Sequence, residues 1–140
     1  MTNTDRAGLG VLLHMLGGEA SAHLFAAAIG RTLASVAMDS DELLFTFADG
    51  SRLALSDEGQ SCCESRYMTT DDDLATFAGA TLLGAEVADG PEIAENASGE
   101  SFHETQFLRV KTSKGTIVCV THNEHSGYYS GFAVRCLDRT

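Results

Sequence analysis

An α+β fold, built on an antiparallel, twisted β-sheet of about six to eight strands, is what this sequence predicts from three observations. Short segments from Thr32 onward alternate apolar and polar residues, turn-forming Asp-Gly and Lys-Gly pairs stand between several of them, and helical spacing is confined to two places. Those places are the first thirty residues and one short stretch near 71–78, so the N-terminal helices are expected to pack on one face of the sheet. The implied organisation is an N-terminal helical segment, 1–30, followed by a single β-rich domain, 31–140. A chain of 140 residues with 44% hydrophobic content buries one ordinary core and is too short for two.

Each element has a local reason. Leu12, Leu13 and Leu16, then Leu24, Phe25 and Ala28, recur at helical spacing on either side of Gly17-Gly18, which predicts two short helices with Ser21 as a cap of the second. Alternation then predicts strands at Thr32 to Met38, Leu43 to Phe47 and Arg52 to Leu55, a meander whose second turn is Ala48-Asp49-Gly50-Ser51. A short extended piece follows at Arg66 to Met68. The oxygens of Thr70 to Asp73 suit a helix N-terminus, with Leu74 to Phe77 as the helix and Gly79 as its stop. Thr81 to Val87 reads as a strand, and Asp89 to Ser101, with the single proline Pro91, as a loop. Thr105 to Lys111 and Thr116 to Thr121 form a hairpin over Thr112 to Gly115, and a last strand is expected from Tyr128 to Cys136.

Charge and cysteine content exclude several classes. Nine Lys and Arg against twenty Asp and Glu give a net charge of −11, which disfavours nucleic acid and anionic membranes as partners. No apolar run approaches the roughly 20 residues that span a bilayer, and no secretory leader is visible, so a cytoplasmic protein with four free thiols is expected. Glycine-rich phosphate loops, dinucleotide fingerprints and nucleophile elbows do not occur.

Polar and reactive side chains concentrate in two stretches. Cys62, Cys63, Glu64, Arg66 and Tyr67 form the first, and His122, Asn123, Glu124, His125 and Tyr128 the second, which reads as a turn. These ten residues are the candidate ligand-binding set. Tyrosine faces stack on planar ligands and an arginine fork grips phosphate or carboxylate, so the set suits recognition. The alternative is a metal-dependent or thiol-dependent enzyme that uses Cys62 or Cys63 with His122 or His125. His122 and His125, three apart, have no zinc-signature spacing around them, and the surroundings of cysteine hydrolases are missing. No catalytic residue, metal ligand or cofactor is therefore assigned. On a purely structural reading Arg66 pairs with Glu124 and the tyrosines fill the core.

The same residues carry a resemblance. Ile29-Gly30-Arg31, Phe45 to Gly50, Cys62-Cys63-Glu64, Asp71 to Leu74, Gly79 to Leu83, Thr112 to Gly115 and, most specifically, Asn123 to Tyr129 resemble a family of small proteins of unknown function from bacteriophage genomes and related actinobacterial chromosomes. The likeness covers residues 30–136, and Ser126 stands where that family has Asn. It implies a phage or prophage setting, hence a host cytosol, and no activity. The expectation is a non-catalytic binding protein whose partner is a host protein or a small nucleotide-type signal. Leu12, Leu16, Leu24 and Phe25 hold apolar surface that a homodimer would cover.

Overall fold

Alanine-rich sequence after Glu19 forms the first described element. The computed structural model describes residues 19–39, 41–59, 64–89, 93–94, 102–125 and 131–140. The first predicted helix, Cys62, Cys63 and Tyr128 lie outside these residues. Helix α1 (Glu19–Ala28) places Ala22, Phe25 and Ala28, at three-residue spacing, on one fully buried face. Glu19 meets the positive end of the helix dipole. Ser21, expected as a cap, sits inside the helix and donates to the Cys136 carbonyl at 3.2 Å. Gly30, at φ 93°, ends the helical region in the left-handed conformation that favours glycine.

The strands divide between two antiparallel sheets. The first has the order β1-β2-β3-β9, from β1 (Leu33–Asp39), β2 (Glu42–Phe47), β3 (Arg52–Asp57) and β9 (Val134–Asp138). The second has the order β4-β8-β7-β5, from β4 (Glu64–Thr70), β5 (Leu82–Asp89), β7 (Phe102–Thr112) and β8 (Gly115–His125), with the two-residue β6 (Ile93–Ala94) also paired to β7. The fold is thus mostly β and α+β, as the alternation predicts. The short helix expected at Leu74–Phe77 is present as a 3₁₀ helix, capped by the Asp73 carboxylate, which accepts from the Ala75 amide.

Turn chemistry explains the hairpins. Gly50 at φ 90° and Gly115 at φ 124° occupy the left-handed region at the two sequence-predicted turns. Asp49 braces the first by accepting from the Ser51 amide at 2.9 Å and its hydroxyl at 2.6 Å, and it also pairs with Arg31. A bulge between Leu33 and Ser35 resets β1, so that Leu33 and Val36 both face inward although three residues apart.

Both sheets and α1 feed one core. Phe45, Phe47, Leu43 and Leu55 from the first sheet join Leu82, Leu108, Val110 and Ile117 from the second and Phe25 from the helix. Each such side chain contributes about 1.5–3 kcal/mol when removed from water. Phe25 is therefore consumed within the chain, and Leu24 packs partly against the same core. The sheets are stitched at one corner by Gly30 N–H to Leu82 O, 2.7 Å, and Leu33 N–H to Ala80 O, 2.7 Å. No helix among the described residues is long and apolar enough to cross a membrane.

Hydrogen bonds from Ser51 hold the Asp49 carboxyl down, from 3.8 to about 2. Because the folded value is the lower one, the turn's contribution is present above pH 3.8 and disappears as pH falls through 2. A carbon NMR titration is expected to find this midpoint in the native protein and a value nearer 3.8 in Ser51→Ala.

Candidate functional site

Residues 122–125, read from the sequence as a turn, are the end of strand β8. Polar residues on both faces disguised it, because no apolar alternation is left to see. Strand β4 pairs with it in register: Glu64 opposite His125, Ser65 opposite Glu124, Arg66 opposite Asn123 and Tyr67 opposite His122. The two candidate stretches therefore meet at their described parts. Cys62, Cys63 and Tyr128 lie outside the described residues, and of Glu64 only the backbone is described.

Strand geometry then sorts the set. Directly opposed residues share a face and successive ones alternate, so Tyr67, His122 and Glu124 stand on the outer face of the second sheet. Arg66, Asn123 and His125 point the other way, inward. His122 and His125 are on opposite faces of β8, and one centre that uses both imidazoles does not fit this geometry.

The outer group is a row of rings across three strands. Tyr67 stacks on His122 with ring centroids 4.4 Å apart and planes 7° from parallel. His103 of β7 lies beyond, 5.0 Å from His122, with its Nε2 2.8 Å from His122 Nδ1. Thr69 Oγ1 is 2.8 Å from the other His122 nitrogen, and the Tyr67 hydroxyl donates to Glu124 at 2.6 Å. Every free rotation of the His122 ring is thereby removed. Partial burial and, next, the neighbouring His103 push the His122 pKa below 6.5, against the opposing pull of Glu124.

The inner group is a buried polar network that ties three segments. Arg66, 7% exposed at its side chain, pairs with Asp57 of β3, 5% exposed, at 2.9 Å, and not with Glu124. Asp57 also accepts from the amides of Gly59 and Ala133, at 2.9 and 3.2 Å. Gly131 is gripped from both sides: Arg66 and Asn123 donate to its carbonyl, at 3.1 and 3.0 Å, and Glu104 accepts from its amide at 3.0 Å. Glu104 receives His125 as well, at 2.7 Å. A β-carbon on Gly59 would stand 2.8 Å from the Arg66 guanidinium, so a larger residue there would have to displace that group. The network fastens the loop before β9 to the second sheet.

Between the β1–β2 turn, the end of β3 and β4 lies a cleft of about 250 Å³, lined by Asp41, Glu42, Asp57, Glu58, Arg66 and Tyr67 among others. Among its described lining residues the one cation, Arg66, is paired with Asp57, and the others that carry charge are acidic. Cys119 and Cys136 are buried, and burial pushes their thiols up to about 11 and about 12, which leaves both protonated and unreactive at neutral pH.

Sequence reasoning missed His103, Thr69, Asp57, Glu104 and Gly131. For His103 a signal existed. Counting outward from the Thr112–Gly115 pair sets Thr105 opposite His122 and His103 opposite Glu124. Asp57 and Gly131 carry no such signal, because their contacts depend on how the two sheets meet.

The chain belongs to the family described as a domain of unknown function, DUF7448, which matches residues 26–134. Nothing among curated proteins or solved structures matches it.

The two faces predict opposite behaviour. Asp57→Ala removes the carboxylate that pairs with the buried Arg66 guanidinium, and is expected to cost about 3–5 kcal/mol in urea unfolding. For His122 the folded pKa is the lower one, so the unfolded chain binds the extra proton and stability is lost as pH falls below 6.5. An imidazole NMR titration is expected to place the native His122 midpoint below that of a denatured control.

Proposed function

We propose that this member of a family without an assigned activity is a non-catalytic binding protein of phage type, and that the ring row Tyr67–His122–His103 is its recognition surface. The observation that carries the reading is the parallel stack of Tyr67 on His122 on the outer face, with every hydrogen bond around it directed at holding the rings still. A rigid aromatic platform loses little entropy when a flat ligand settles on it. The described thiols, Cys119 and Cys136, are buried and protonated.

The ligand class follows from what surrounds the rings. Arg109 and Lys111 stand on the same face of β7, and Arg109 is four residues from Thr105, the residue opposite His122, or about 13 Å along the strand. Glu86 lies within 3.9 Å of both cations and partly neutralises them. A base on the rings with phosphates toward Arg109 and Lys111 fits this spacing, whereas the acidic cleft on the other side of Tyr67 turns phosphate away. In a phage setting the ligand is a small nucleotide-type signal of the host. A host protein presenting a planar side chain to the same rings is the competing partner.

Calorimetric titration of the protein with cyclic mononucleotides and dinucleotides tests the reading. Binding is expected to weaken by roughly tenfold or more in Tyr67→Ala, since one stacked base contributes about 1–3 kcal/mol. Arg109→Ala is expected to reduce the salt dependence of what binding is left. Absence of heat for every nucleotide, with a host protein captured by wild type but not by Tyr67→Ala, would transfer the surface to a protein partner.

A further inference from the structure

We propose that His103 and His122 form a two-imidazole chelate for a borderline transition-metal dication of the Zn²⁺, Ni²⁺ or Cu²⁺ class. The proposal rests on the reading of the outer face as the working surface and names a chemistry for it. His103 Nε2 and His122 Nδ1 lie 2.8 Å apart on adjacent strands, at hydrogen-bond distance and near the separation of two neighbouring ligands on one ion. An ion about 2.0–2.1 Å from each nitrogen enters that gap once the rings part by a few tenths of an ångström.

The surroundings accommodate the coordinating form of His122. With Thr69 Oγ1 2.8 Å from His122 Nε2, a proton on Nε2 has an acceptor, and that tautomer leaves Nδ1 with its lone pair toward His103. Tyr67 fixes the plane of the same ring by stacking. With both imidazoles neutral, coordination requires His103 to carry its proton on Nδ1 and His122 on Nε2, and no proton is released. The carboxylate of Glu124, opposite His103 on the same face, adds favourable charge without being a ligand. Among the described residues no three His, Cys, Asp or Glu side chains converge on one point, so solvent completes the coordination sphere and leaves positions open to an incoming ligand. Two nitrogen donors favour zinc, nickel or copper over magnesium or calcium.

Protein without an affinity tag, stripped with a chelator, is titrated with Zn²⁺, Ni²⁺ and Cu²⁺ by calorimetry and against a chromophoric indicator. One equivalent is expected to bind, binding is expected to vanish in both His103→Ala and His122→Ala, and Thr69→Val is expected to weaken it about tenfold with an unchanged melting curve. If His122→Ala fails to fold, His103→Ala and Thr69→Val decide the matter. No binding by wild type, equal binding by the histidine variants, or binding lost only in a Cys62→Ser, Cys63→Ser variant overturns the chelate. A nucleotide that binds the stripped protein while no metal does would refute the chelate and leave the recognition reading standing.

Discussion

Strand β8 is hydrogen-bonded on both sides, to β4 and to β7, and a strand held along both edges cannot slip by one residue without turning every side chain to the other face. Everything else in the second sheet follows from that register. It sets Tyr67 beside His122 and Arg66 beside Asn123, and so separates neighbours in sequence into two environments with different physics. On the outer face rings meet water and one another. On the inner face the same strand ends bury an arginine, an asparagine and a histidine, which are tolerable there only because each has a partner.

The inner network deserves to be read as specification more than as adhesion. An ion pair such as Arg66–Asp57 is costly to desolvate, and apolar residues of similar volume often hold a core equally well. What apolar residues lack is direction. Arg66, Asn123 and Glu104 address the carbonyl and the amide of one residue, Gly131, and so dictate where the chain enters β9. The outer ring row is thus supported from beneath by this network.

Legibility in the sequence followed the range of the interactions. The hairpins at Asp49-Gly50 and Lys114-Gly115 were readable because positive φ is a property of the residues themselves, and most strands because a half-buried strand must alternate. The last turns of β8 were not, since Asn123 and His125 take apolar positions in the pattern through bonds to Gly131 and Glu104, residues the sequence gives no reason to place nearby. For the same reason the candidate set was legible as a concentration of chemistry but not as two surfaces. Only the alternation of a correctly extended strand divides it, and the partition of the strands into two sheets depends on contacts between distant segments.

Completion of the first sheet by β9 has a kinetic corollary. Strand β3 ends at Asp57, yet its outer neighbour begins at Val134, with the whole of the second sheet between them in the chain. Until residue 138 has left the ribosome, the edge of β3 offers unsatisfied amides and carbonyls, and closure must wait for a loop of that length to find its ends. Folding is therefore expected to be slow, with the three-stranded meander formed early and exposed to mispairing with other nascent chains until its fourth strand arrives.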